Sequence, residues 1–150
     1  MRIGSIEMTW NNSLNPEKGK VFQIAAGKIM GIHFGVEFAQ DIAIEIGHPQ
    51  KAHRFDLVSH DHQFVGECKN YSWTETGNVP SAKLGFINEA VFCLTFIPSS
   101  ATRFVAMRRA TTPNRGETLA EFYFRTYRHL LGDIVVFEVD LDSGAVREIR

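Results

Sequence analysis

A chain of 150 residues, 44% hydrophobic and carrying a net charge of −1 at pH 7, has the size and apolar content of one domain, residues 1–150, built around one core. The near-neutral balance argues against a protein that coats nucleic acid without specificity. No run of about 18 apolar residues offers a membrane span, and the amino terminus lacks a basic-then-apolar signal pattern, so the expectation is a cytoplasmic protein with no membrane partner. Two cysteines, Cys68 and Cys93, without CxxC spacing, argue against a disulfide framework.

Pro16 and Glu17 open a helical pattern in which Val21, Ile24, Ala25, Ile29 and Ile32 recur every three to four residues. From Val36 to Ile46 the residues Phe38, Gln40, Ile42, Ile44 and Ile46 alternate with Glu37, Ala39, Asp41, Ala43 and Glu45, the period-two signature of a half-buried strand ended by Gly47-His48-Pro49. Strands at 53–59 and 63–71 follow, joined by a turn over His60-Asp61-His62. His60 and His62 read as exposed turn residues, because no spaced partner pair completes a transition-metal ligand set. A polar loop, Thr74 to Asn78, leads to Pro80 and Ser81, which mark the start of a second helix over Ser81 to Phe96 with Leu84, Ile87, Ala90, Val91 and Leu94 along one side.

Arg103 to Arg108 then reads as a strand, Glu117 to Leu131 as a third helix capped from Thr112 or Gly116, and Ile134 to Val139 as a last strand. The front half is an antiparallel meander and the back half alternates strand and helix, as parallel crossover units do. The class is α/β, a mixed sheet flanked by helices. The 12 phenylalanines are spread over every predicted element and read as core packing.

The most informative stretch is the hairpin Phe55 to Lys69, which carries Asp56 on one arm and Glu67-Cys68-Lys69 on the other. Residues two apart on a strand share a face, so Glu67 and Lys69 point together and Cys68 points away. Asp56 lies between Phe55 and Leu57, and the pleat is expected to keep the apolar flank apart from the acidic one. Strands about 4.8 Å apart bring Asp56 and Glu67 close enough to share an ion. Two carboxylates so placed repel unless a cation sits between them, and an ammonium group beside them can orient a water or offset charge on a phosphate.

This constellation, together with the order of elements over most of the chain, resembles the PD-(D/E)XK nuclease superfamily, also called restriction-endonuclease-like. The resemblance implies an α-β-β-β-α-β core in which Asp56 and Glu67 bind Mg²⁺, with Mn²⁺ as a substitute. It makes Lys69 the group that activates water or steadies the transition state, and the Cys68 carbonyl a further metal ligand. Phe55 stands where the superfamily usually has Pro. In the first helix, Gly19-Lys20-Val21-Phe22-Gln23 matches a run that often ends in Glu; Gln23 keeps an oxygen for a metal-bound water but lacks the charge to attract a second cation. Lys83, in the first turn of the second helix, stands where the superfamily often brings a polar residue to the active site; the alternative is a solvated lysine.

Arg108, Arg109 and Arg115 belong to an arginine-rich segment between Pro98 and Gly132 and match phosphate oxygens with their guanidinium forks, or else lie on a solvated face. Tyr71, on the Lys69 face if the strand extends that far, is placed either to stack an unpaired base or to pack into the core. Two functions follow: a Mg²⁺-dependent endonuclease acting on DNA, or a module that kept the fold and binds nucleic acid or a protein without hydrolysis. By analogy with double-strand cutters, a homodimer is compatible with the first.

Overall fold

The computed structural model describes residues 16–150; the amino-terminal stretch expected to lack a signal lies outside them. The elements are α1 (Pro16–Phe34), β1 (Phe38–Ile46), β2 (Lys51–Ser59), β3 (Phe64–Lys69), α2 (Ser81–Leu94), β4 (Thr102–Arg108), α3 (Leu119–Leu131), β5 (Val135–Val139) and β6 (Val146–Glu148). They form an α/β fold around one six-stranded mixed sheet of order β1-β2-β3-β4-β5-β6. β1, β2 and β3 run antiparallel, β3, β4 and β5 are parallel, and β6 returns antiparallel to β5. The parallel steps are the two that α2 and α3 connect, as crossover chemistry requires.

One face of the sheet is covered by α1, whose Phe22, Ala26 and Met30 pack on Leu57, Phe104, Ala106, Phe137 and Val139. The other face carries α2 and α3, with Leu84, Ile87, Val91, Leu119 and Tyr123 packed on Phe55, Val65, Val105, Met107 and Val136. Among the described residues no helix is long and apolar enough to cross a membrane.

Three sequence expectations are corrected. The stripe read on α1 is not the buried one: Val21, Ile24 and Ile32 are exposed, Ile32 at 85%. The helix is apolar over most of its circumference, so spacing alone does not choose a side. Gly27 and Gly31 choose it: a Cβ on Gly27 would meet Leu57 Cδ2 at 3.0 Å, and one on Gly31 would meet the Val36 carbonyl at 2.7 Å. Next, α2 stops at Leu94 with Thr95 as its C-cap, and Phe86 and Phe92 on the helix, with Phe96 just beyond it, lie exposed rather than in the core. Finally, α3 is capped by Thr118, not by Thr112 or Gly116.

The Thr118 cap is a reciprocal box. Its hydroxyl accepts from the Glu121 N–H at 3.2 Å, and the Glu121 carboxylate accepts from the Thr118 N–H at 2.7 Å. Thr118→Ala removes one half of that exchange at a buried position and is expected to destabilise the protein by about 1 kcal/mol, read as a lower urea midpoint at constant m-value. The strand β6 has no counterpart in the sequence reading. Three residues are too few to show a period, and its pairing is fixed from outside, where Arg147 reaches both the buried Glu138 of β5 and Glu121 of α3 at 2.8 Å.

Candidate active site

The site begins with the turn that closes the β2–β3 hairpin. Asp61 Oδ1 accepts from Ser59 Oγ at 2.9 Å and from the Gln63 N–H at 3.0 Å, while Ser59 Oγ accepts from the Phe64 N–H. His62 takes φ of 59°, and both turn histidines are exposed, as read from the sequence. From this anchored end the ladder runs through Val58↔Val65 and Leu57↔Gly66 and then stops.

Beyond that point two carboxyl side chains replace the missing ladder partners. The Asp56 N–H donates to Glu67 Oε2 at 3.1 Å, and the Cys68 N–H donates to Asp56 Oδ2 at 2.7 Å. The same interruption resets the pleat. Phe55 is buried with α2 and α3, whereas Leu57 is buried with α1. A strict alternation around Asp56 is therefore not what the chain adopts: the apolar neighbours point to opposite faces, and the Asp56 carboxylate turns toward the partner strand.

Glu67 is 5% exposed. Its Oε1 meets His53 Nε2 at 3.1 Å, so both carboxyl oxygens have a partner. Burial, followed by the adjacent Asp56 carboxylate, pushes the Glu67 carboxyl up to about 9. Lys69 opposes that rise without cancelling it. Near neutral pH the Glu67 carboxyl thus keeps its proton, the outcome expected for a buried acid that faces a like charge.

Lys69 lies on the Glu67 face, with its Nζ 5.9 Å from the centre of the Tyr71 ring. Lys83 Nζ lies 5.2 Å from the same ring. Half-burial raises the Tyr71 phenol above its ordinary value, against the influence of Lys69. The Cys68 side chain packs with the α1-side core, and burial pushes its thiol well up. Gln23, 8% exposed, donates from its amide nitrogen to Gln40 Oε1 and Asp41 Oδ1 at 3.0 Å and to the Asp56 carbonyl at 3.3 Å. It ties α1 to the backbone of the site.

Of the three arginines read as phosphate contacts, two are engaged within the protein. Arg108 is half-buried, with its guanidinium bonded to Asn70 Oδ1, to Ser72 Oγ at 2.6 Å and to the Arg109 carbonyl. Arg115 lies over the Trp73 ring at 4.4 Å and donates to the Gly77 carbonyl at 2.9 Å. Arg109 is half-exposed, 3.7 Å from the buried Glu138.

Two participants escape the sequence reading. His53 reaches Glu67 because it shares a face with Phe55, against whose ring it sits edge-on at 4.5 Å; its signal was the period of two along β2. Asp41 lies beside Gln23 with φ of 57° and ion-pairs with Lys20, which together with Gln23 holds its carboxyl below the usual range. A left-handed aspartate inside a strand has no periodic signature.

Among the described residues no three His, Cys, Asp or Glu side chains converge as a ligand cage. Mg²⁺ does not require one: it is commonly held by one or two carboxylates, with waters and substrate phosphate oxygens completing its shell. The donor set present, two apposed carboxyl groups that repel unless a proton or cation lies between them, fits such an ion. Comparison with protein-family models, with curated proteins and with solved structures finds no match.

Proposed function

We propose that the chain is a Mg²⁺-dependent phosphodiester hydrolase, an endonuclease-like enzyme acting on DNA, whose first six elements form a restriction-endonuclease-like α-β-β-β-α-β core. The observation that carries this reading is the Asp56–Glu67 pair at the point where the β2–β3 ladder opens, with the Lys69 ammonium on the same face. Asp56, Glu67 and the Cys68 carbonyl would hold the ion. Bound there, Mg²⁺ supplies charge stabilisation at the phosphate and a more acidic water. Asp56 and Glu67 fix the site between two strands rather than on a loop, with His53 holding the far oxygen of Glu67. Lys69 offers its ammonium to the phosphate oxygens or to the attacking water.

Supercoiled plasmid incubated with the protein and Mg²⁺ or Mn²⁺ is expected to be nicked, and Lys69→Ala to lower the rate at least 100-fold, on the order of a lost electrostatic donor. Plasmid left intact with every metal, or nicked equally by the variant, would end the proposal.

A second reading has its own observation. The Gln23 amide nitrogen, a donor, faces the site, so α1 contributes no anionic ligand. A module that binds nucleic acid or protein without cutting would show tight association by calorimetry and no heat of Mg²⁺ binding.

A further inference from the structure

Three acids stand in one row across the antiparallel part of the sheet. The pairs Gln40↔Leu57 and Ile42↔Phe55 set Asp41 opposite Asp56, and the pair Leu57↔Gly66 sets Asp56 opposite Glu67. The regular ladder is broken along this row: the β1–β2 register passes over Asp41 and Asp56, and the β2–β3 register ends before Glu67. Asp41 leaves the ladder through its own backbone. Its φ of 57° is left-handed, a conformation that costs energy inside a strand and persists only where the surroundings hold it. Its carbonyl accepts from Arg54 Nη1 at 3.1 Å.

The side chain of Asp41 is aimed at α1. Its Oδ1 accepts from Gln23 Nε2 at 3.0 Å, and its other oxygen pairs with the Lys20 ammonium. The same Gln23 nitrogen donates to the Asp56 carbonyl at 3.3 Å. A carboxylate and a backbone carbonyl only accept, so both demand the nitrogen of the amide and fix which way it is turned. Asp56 is thereby held at three points, its carbonyl by Gln23, its N–H by Glu67 Oε2 and its Oδ2 by the Cys68 N–H. The first of these bonds is the longest, and a glutamine side chain loses considerable freedom when it is held in one place. Asp41, with Gln40 Oε1 at 3.0 Å, supplies the contacts that hold it.

We propose that Asp41 is a positioning residue for Asp56: it holds the Gln23 amide against the Asp56 carbonyl, and so fixes the strand segment from which Asp56 presents its carboxylate to an ion. This rests on the nuclease reading for the ion and for turnover, though not for the contacts themselves. The Lys20 and Asp41 side chains are both half-exposed, and an ion pair so placed contributes little. The part of Asp41 that acts is its acceptor oxygen rather than its charge.

Asp41→Gly and Asp41→Asn separate this role from one of backbone shape. Glycine takes a positive φ readily but has no oxygen to offer, whereas asparagine also visits the left-handed region and keeps an oxygen that accepts from Gln23. By calorimetry, Asp41→Gly is expected to weaken Mg²⁺ binding about tenfold, as the loss of a group that orients a metal ligand does, and Asp41→Asn to recover most of it. Gln23→Ala is expected to match Asp41→Gly, and the double variant to be no weaker than either, because the two residues act in series. In the metal-free protein the Asp56 N–H is expected to exchange with solvent faster in Asp41→Gly, relative to the Val105 N–H of the central strand β4. Mg²⁺ affinity in Asp41→Gly equal to that of the wild type would reduce Asp41 to a feature of the backbone and overturn the proposal. Asparagine as weak as glycine would make the charge the acting part, and additive losses in the double variant would break the route through Gln23; either result overturns it too. An unmoved Asp56 exchange rate overturns it whatever the metal does. Wild-type protein that binds no Mg²⁺ and leaves plasmid uncut, with Asp56 exchange altered as expected, defeats the nuclease reading and leaves the positioning of Asp56 standing.

Discussion

The melting temperature of the metal-free protein is expected to fall as the pH rises from about 5 to about 9, and Glu67→Gln to remove most of that slope. The cause is the Glu67 carboxyl, held in the fold at about 9 against an ordinary value of 4.5 by burial and by Asp56. A carboxyl group raised by folding binds its proton more tightly in the native than in the unfolded state. Its contribution is complete below the unfolded value and is lost as the pH climbs through the folded one. The slope cannot exceed about 1.4 kcal/mol per pH unit from one group.

Mg²⁺ is expected to reverse the trend, because the ion competes with that proton for the same oxygens. Added Mg²⁺ should raise the melting temperature more at pH 8.5 than at pH 6, with Asp56→Asn abolishing the gain. Calorimetry in two buffers of different ionisation enthalpy should register about one proton released for each ion bound near pH 7.5. A flat wild-type profile, or an equal slope in Glu67→Gln, would mean that Glu67 does not hold the proton in this way.

How much of this was legible beforehand follows from what each feature depends on. The alternation of Ile42, Ile44 and Ile46 along β1, the face shared by Glu67 and Lys69, and the parallel return through α2 are local consequences of spacing, and the structure has them where they were read; Phe38 and Gln40, read on the same side as those isoleucines, face α1 instead, because the strand changes face at the left-handed Asp41. The break in the pleat at Asp56 was not legible, because it depends on side chains replacing backbone partners across two strands. The same holds for α1: a helix with apolar side chains on several sides reveals its buried face only through the glycines that allow close approach. Arg108 and Arg115 show a third kind of miss. A run of arginines announces charge, but whether a guanidinium meets a ligand or clamps a neighbouring loop depends on Asn70, Ser72, Trp73 and Gly77, which come from another part of the chain.

Gly66→Ala is expected to destabilise the fold by about 3 kcal/mol, at the upper end for an added methyl in a packed core, and to lower cleavage as well. Gly66 lies on β3 immediately before Glu67, and a Cβ there would stand 2.3 Å from Phe104 Cζ and 2.4 Å from Cε2. The obstacle is a ring, and the ring has nowhere to go: Phe104 is fully buried and enclosed by Phe34 at 5.3 Å, Phe38 at 5.7 Å and Phe137 at 6.0 Å. β3 must then shift instead, and the residue it carries next is the buried half of the carboxyl pair. Phe104→Leu alone opens a gap in the same cluster and is itself destabilising. Combined with Gly66→Ala, it should recover part of the loss, giving a double-mutant coupling of 1 kcal/mol or more, within the range of about 0.5–3 kcal/mol for residues in contact. Gly85→Ala supplies the opposite sign: this glycine sits exposed in α2 with nothing within 4 Å of an added Cβ, and alanine there should stabilise by about 0.5–1 kcal/mol. Urea unfolding of wild type and the four variants decides it, and additivity between positions 66 and 104 would show that the ring is not what excludes the side chain.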